Sequence, residues 1–286
     1  MTCKGGPQMP APDAISLEKL AKLIGTPKAP VILDVRRDAL RAADPRLIPT
    51  ARACPEGVLA DAGRMALLPG LQGRAVVVAC AEGHGRSQGL AAWLRAQGIA
   101  AEYLDGGHAA WSAAALPLVN PAPIPPRDAQ GRSLWVTRAR PKIDRIACPW
   151  LIRRFVDPSA IFPFVAPAEV EAVGQALGAA PFDVEGVFFS HRGAECSFDT
   201  MLKEFGLQLP ALDHVARIVR GADTNRLDLA PESAGLLALS LGLSRMYSDD
   251  QAQLEEGLAL YDALYRWARD ATEEGHDWPH AGARKT

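Results

Sequence analysis

The chain has 286 residues, with 31 Lys and Arg against 33 Asp and Glu and a formal net charge of −2, so it is long enough for two ordinary domains and carries no basic stripe that would indicate a nucleic-acid partner. It contains no apolar run of the roughly 18 residues needed to span a membrane. Its cysteines (Cys3, Cys54, Cys80, Cys148 and Cys196) form an odd, scattered set, which predicts reduced thiols in a cytoplasm and not a disulfide framework.

Residues 1–13, opening MTCKGGPQMPAP, lack an apolar segment and read as a flexible tail, not a signal peptide. Next come SLEKLAKLI as a helix, VILDV and AVVVA as buried strands, GLAAWLRAQG as a helix, and AEYLDGG as a strand and turn. This alternation predicts an α/β unit with a mainly parallel sheet and helices on its faces. Active loops of such sheets lie at the carboxyl ends of strands.

One such loop stands out. Val76 to Gly89 read VVVACAEGHGRSQG, which places a C-x5-R-S pattern between a strand and a helix. Backbone N–H groups of a loop there, with the helix N-terminus behind them, form a cradle for a tetrahedral anion. The same cradle lowers the pKa of a thiol at its base and makes Cys80 a nucleophile. A lone cysteine is more often a small buried hydrophobe, but Gly83, Gly85, Arg86 and Ser87 all agree with the reactive reading. The predicted catalytic residues are therefore Cys80, Arg86 and Ser87, with Ala81, Glu82, Gly83, His84 and Gly85 as the anion-binding loop. Asp34 and Arg36 are expected to support it, Asp34 by holding a loop backbone or Arg86. Asp105 to Gly107 read as a turn and Trp111 as core.

This half resembles a rhodanese domain over roughly Ala14 to Leu118. The resemblance rests on LDVR (Leu33–Arg36), RLIPTARA (Arg46–Ala53), the Cys80 loop and YLDGGHAAW (Tyr103–Trp111). It implies a rhodanese-like fold in which Cys80 accepts a sulfane sulfur as a persulfide and passes it to a thiophilic acceptor, with no cofactor required. The implied partners are a small-molecule sulfur donor and a thiol acceptor, or an oxyanion. In one respect the chain departs from the family: its loop has seven residues where the common rhodanese loop has six. The longer loop resembles that of rhodanese-fold dual-specificity phosphatases and arsenate reductases, and CAEGHGRS fits the tyrosine-phosphatase pattern. No upstream Trp-Pro-Asp supplies a phosphatase acid; Glu82 is the candidate inside the loop.

Between Leu116 and Arg132 the stretch LPLVNPAPIPPRDAQGR holds five prolines, so residues 119–132 read as an extended, semi-rigid linker. The predicted organisation is a tail (1–13), a rhodanese-like domain (14–118), this linker, a mostly helical α+β domain (133–272) and a second tail (273–286). In the second domain SLWVTRAR, IFPFV and GVFFSH read as strands. DRIACPWLIRRFV reads as a helix with Asp144 as N-cap and Pro149 near the first turn. APAEVEAVGQAL and the segments after Phe198 read as helices.

Metal-ligating residue types gather here in three places: Asp144 with Cys148; His191, Glu195, Cys196 and Asp199; and Asp213, His214 and Asp223. Thiolate, imidazole and carboxylate together suit zinc or another transition metal. The candidate ligands are His191, Cys196, Asp223 and Cys148. Taken singly, each reads as structural: Cys148 a buried hydrophobe, His214 an exposed helix residue, Asp199 a helix N-cap.

The second half resembles the chromate-resistance protein B domain over roughly Leu134 to Asp270. The segments DRIACPWLIRRFVDP, PFDVEGVFFSHRGAECSFDTML and ARIVRGADTNRLDLAPESAGLLALSLGLS carry the resemblance, which implies a link to chromate resistance. Three functional readings stand open at this point. They are a sulfurtransferase-like thiol enzyme linked to chromate detoxification, a Cys-dependent phosphatase or arsenate/chromate reductase on the same scaffold, and a non-catalytic oxyanion or metal sensor.

Overall fold

The computed structural model describes residues 13–275. Cys3 and most of both expected tails (1–12 and 276–286) lie outside the described residues. The first half comprises β1 (Ala14–Ile15), α1 (Leu17–Leu23), β2 (Val31–Asp34), α2 (Asp38–Ala43), β3 (Arg52–Ala53), α3 (Asp61–Leu67), β4 (Val76–Ala79), α4 (Gly85–Ala96), β5 (Ala101–Leu104) and α5 (Gly107–Ala113). Its five strands pair in the order β1-β5-β4-β2-β3, every pair parallel. The β-branched runs VILD and VVVA fill the sheet's centre, where both faces are covered by helices and every β4 side chain is buried. Cys80 follows directly at the carboxyl end of β4.

The second half comprises β6 (Trp135–Arg138), α6 (Asp144–Leu151), β7 (Phe164–Val165), α7 (Val170–Leu177), β8 (Ala180–Pro181), α8 (Ser197–Phe205), α9 (Pro210–Asp223), α10 (Ser233–Met246) and α11 (Asp250–Asp270). A small parallel sheet, ordered β7-β6-β8, backs onto a helical assembly, so this half is mostly helical. No described helix is long and apolar enough to cross a membrane.

Two local expectations are overturned. GVFFSH is not a strand: only Phe189 bridges back to Phe182. The left-handed backbone at Asp183 (φ 51°) and Gly186 (φ 83°) breaks the extended path between them, despite the aromatic run. Asp144 is the first residue of α6, not its cap; Ile143 caps it with φ 43° and ψ −101°, a costly conformation for a β-branched residue. Pro149 sits in the second turn of α6, and the chain beyond Leu151 widens into a π-helical turn over Ile152–Val156. A proline there leaves one helical carbonyl without its N–H partner, which favours such local rewinding.

The proline-rich segment is anchored to both halves. Val119 exchanges backbone hydrogen bonds with Leu47, and Asn120 N donates to Phe205 O at 2.8 Å. Arg127 pairs with the buried Asp157 at 2.7 Å. One hydrophobic core runs through both halves, joining Leu20, Ile24 and Trp111 to Trp150, Phe155 and Tyr265. Gly25 lies directly under this contact: a Cβ there would meet Phe155 at 2.6 Å and Tyr265 at 2.7 Å.

Candidate functional site

The loop after β4 engages most of its carbonyls with groups other than the sulfur, although His84 O also lies 3.9 Å from Cys80 Sγ. His108 N donates to Cys80 O at 2.9 Å and Ala109 N to Ala81 O at 2.8 Å, Gln88 Nε2 donates to Gly83 O at 2.9 Å, and His84 O accepts from Gln88 N and Ser87 Oγ, both at 3.1 Å. The backbone N–H groups of Glu82, His84 and Ser87 face the thiol. The wall behind the loop is the turn at Gly106–Gly107. Gly107 has φ +60°, and a Cβ on it would lie 2.5 Å from Cys80 O and 2.6 Å from Gly83 N. The sequence assigns this turn no functional part; the structure makes it the mould of the cradle. The signal was there in the adjacent glycines, because backbone packed on backbone leaves no room for a side chain.

Cys80 is nearly buried, at 5 % exposed. Burial alone would push its thiol up. The Ser87 hydroxyl, 3.1 Å from Sγ, and the backbone at Glu82, Ser87 and His84 outweigh burial, so the pKa is held below the usual thiol range. The site thus favours a negative sulfur through one hydroxyl and the loop backbone.

The remaining predicted residues fall as follows. Arg86 donates Nε to Val35 O at 2.9 Å and Nη2 to Glu56 O at 3.4 Å, which ties the start of α4 to the neighbouring strand end. Glu82 and His84 are exposed and lie 3.7 Å from each other. Asp34 and Arg36 form a buried pair at 2.7 Å. Arg36 also donates to Asp44 O and Arg46 O, both at 2.9 Å. Asp34 therefore fixes a neighbouring loop backbone through Arg36, and Arg86 is held by backbone carbonyls instead.

A second cluster lies in the other half. His191 Nε2 is 3.1 Å from Asp223 Oδ2, 3.5 Å from Asp183 Oδ1 and 3.7 Å from Asp144 Oδ2. Asp144, at the start of α6, is fully buried; its Oδ2 accepts from the first N–H groups of α8, Ser197 at 2.6 Å and Phe198 at 3.3 Å. Asp183 accepts from Ser197 Oγ at 2.9 Å and faces Arg145 at 3.3 Å and Arg138 at 3.5 Å. The electrostatics follow from burial and crowding. Burial, then the Asp223 and Asp183 charges, push the Asp144 carboxyl well up. Burial likewise raises Asp223, with Asp183 adding to it. At Asp183 burial is outweighed by its hydrogen bonds from His191 and Ser197 and by Arg145, and the carboxyl is lowered. The hydrogen bond to Asp183 carries His191 up to about 9, against burial and with help from Asp144 and Asp223.

Of the four ligands the sequence suggests, His191 and Asp223 meet. Cys148 and Cys196 do not join them, a correction with a simple cause. Neither sulfur falls within the group of ligand atoms that His191 and Asp223 form with Asp144, and both thiols are buried in the core. Cys196 caps α8 in a reciprocal box with Asp199 and donates Sγ–H to Asp199 Oδ2 at 3.2 Å. Asp199 is accordingly the third residue of the helix start, not its cap. Asp144, Asp183, Arg138 and Arg145 were not among the predicted site residues. Asp183 stands in the quoted PFDVEG stretch, but nothing in spacing connects it to His191.

Comparison with known proteins agrees with this two-part organisation. Residues 16–114 match the rhodanese-like domain family and residues 135–268 match the family described as ChrB, C-terminal domain. Protein ChrB of Cupriavidus metallidurans is 36% identical over 146 residues, which covers 50% of this chain; the chain spans 43% of that relative's length. Among solved structures, a rhodanese-related protein of Thermoplasma volcanium is 24% identical, with 37% of this chain and 96% of that one covered and a TM-score of 0.31. A thiosulfate sulfurtransferase of Pseudomonas aeruginosa is 30% identical, with 39% and 20% covered and a TM-score of 0.29. The chain carries a rhodanese-like domain followed by a ChrB C-terminal domain.

Proposed function

We propose that this pairing of a rhodanese-like domain with a ChrB C-terminal domain is a sulfur-handling protein linked to chromate resistance, with Cys80 as its sulfur carrier. The observation that carries the reading is the Cys80 cradle, where Ser87 and the loop backbone hold a negative sulfur at the carboxyl end of β4. In the first half-reaction the Cys80 thiolate attacks the outer sulfur of a donor such as thiosulfate. The donor S–S bond breaks, sulfite leaves with the bonding electrons, and Cys80 becomes a persulfide. The loop's N–H groups then stabilise the terminal sulfur's charge. In the second half-reaction a thiophilic acceptor, cyanide or a thiolate, attacks that terminal sulfur and Cys80 leaves as thiolate.

Arg86 supports this reading over the phosphatase or reductase alternative. Its guanidinium is engaged by Val35 O and Glu56 O, whereas clamping a tetrahedral oxyanion calls for a free guanidinium fork. Glu82, the candidate phosphatase acid, is exposed and turned toward His84.

The test is mass spectrometry of the full chain after thiosulfate, together with thiosulfate-to-cyanide transfer. Cys80 should gain one sulfur atom, and Cys80→Ser should abolish both adduct and transfer while circular dichroism stays unchanged. Transfer that survives in Cys80→Ser, or Cys80-dependent hydrolysis of p-nitrophenyl phosphate without sulfur transfer, would overturn the reading.

A further inference from the structure

We propose that Asp144, His191 and Asp223 form a binding site for one divalent first-row transition ion, such as Mn2+, Fe2+ or Zn2+. The three come from separate places, the start of α6, the loop before α8 and the last residue of α9, yet one ligand atom of each lies within 4.8 Å of the other two. The His191–Asp223 distance fits an ion, and the Asp144 distance is a few tenths of an ångström longer than one requires. With metal–ligand bonds of about 2.0–2.2 Å, ligand atoms at tetrahedral or octahedral angles stand roughly 3–3.5 Å apart. His191 Nε2 lies 3.1 Å from Asp223 Oδ2 and 3.7 Å from Asp144 Oδ2. One imidazole with two carboxylates suits a transition ion better than Mg2+ or Ca2+, which prefer all-oxygen shells.

Two further observations point to a cation. Asp144 is 0% exposed, and while its Oδ2 receives the α8 N–H groups, its Oδ1 has no hydrogen-bond partner. An unpartnered buried carboxylate oxygen is costly, and an ion removes that cost. Asp223 occupies the C-terminal end of α9, where a negative side chain opposes the helix dipole; its carboxylate accepts from the Asp144 backbone, which holds it at the cluster. The assembly also has the parts an ion needs beyond its ligands. Asp183 accepts from Ser197 and faces Arg145 and Arg138, which holds it beside His191 as a second tier of charge. An open cavity of about 610 Å³, lined by Arg138, Asp183, Ser190 and His191, gives an entry path.

The experiment uses the full chain, stripped with chelator and dialysed, then titrated separately with Zn2+ and Mn2+ by calorimetry, with elemental analysis after desalting. One saturable equivalent is expected, with a higher melting temperature in the presence of metal. His191→Ala and Asp223→Asn should each weaken binding by more than about tenfold, while Cys80→Ser and Cys196→Ser keep it. Should Asp223→Asn misfold, His191→Gln carries the same comparison. The proposal is overturned if neither ion binds saturably, if His191→Ala and Asp223→Asn bind as well as the parent, or if Cys80→Ser is the variant that loses the metal.

Discussion

The Cys80 loop and the Asp144–His191–Asp223 cluster handle charge by opposite means. In the first, eight consecutive residues and the turn at Gly106–Gly107 surround a thiol with backbone donors, and its ionised form is favoured. In the second, four side chains from distant segments crowd three carboxylates around an imidazole, and burial raises two of the acids. A site made from backbone needs the right local turn, and sequence neighbours supply it. A site made from side chains needs the tertiary fold to be complete before it exists. The first should therefore report damage to its own loop, and the second should report damage almost anywhere in the packing of α6, α8 and α9.

The largest test of that contrast is Phe155→Ala. Phe155 is fully buried, packs on Trp150 and Tyr265, accepts a backbone hydrogen bond from Thr50 and lies against Gly25 of the other half. Removing a buried ring of this size costs about 3–5 kcal/mol. Because the core is continuous, both halves should melt together in one earlier transition, followed by circular dichroism and by release of buried Cys54 to a thiol reagent. Two separated transitions with Cys54 protected through the first would show that the halves are energetically independent.

Gly107→Ala is the next in size and is local to the cradle. An L-residue at φ +60° costs about 1–3 kcal/mol, and the added Cβ has only the backbone of Cys80, Ala81 and Gly83 to press against. Sulfur transfer should fall far more than the melting temperature suggests, while metal titration of the second cluster is unchanged. Loss of both functions in parallel would mean that the variant acts through global stability alone.

These two sites also explain what the sequence made legible. The parallel sheet could be read because VILD and VVVA are short β-branched runs bounded by turns, and the cradle because C-x5-R-S is contiguous. The role of Gly107 could be seen only as a turn, since what the glycine must accommodate is a loop more than twenty residues earlier. In the second half the helices followed from their periodicity, but GVFFSH misled because left-handed residues at Asp183 and Gly186 override its aromatic character. The thiols of Cys148 and Cys196 looked like ligands because residue type says nothing of burial. Asp144 and Asp183 joined His191 only when α6, β8 and α8 had been placed side by side.

A third, smaller expectation compares thiols within one molecule. Among the described cysteines, Cys80 should be the first alkylated by iodoacetamide near neutral pH. Burial holds Cys54 up at about 11 and drives Cys148 and Cys196 higher still. Peptide mapping after a short exposure reads this directly. Modification of Cys54 ahead of Cys80 would remove the electrostatic case for the cradle.

The smallest and sharpest effect is that of Ser87→Ala on the pH profile of the same alkylation. Ser87 Oγ is 3.1 Å from both Cys80 Sγ and His84 O, so its single hydrogen serves the carbonyl while the thiol is protonated and can turn to the sulfur when it ionises. A hydrogen bond to a charged group is worth about 1.5 kcal/mol at the low end, so below the titration midpoint its loss lowers the thiolate fraction roughly tenfold. The thiolate that remains is more basic and, with a Brønsted slope near 0.4–0.5, about threefold more nucleophilic. The net result at neutral pH is a rate about threefold below the parent. At high pH, where both thiols are fully ionised, the order reverses and the variant reacts faster. The crossing separates two roles for the hydroxyl. If Ser87 only braces the loop through His84, the variant's rate differs from the parent's by one factor at every pH and the curves never cross; if it stabilises the sulfur's charge, they must.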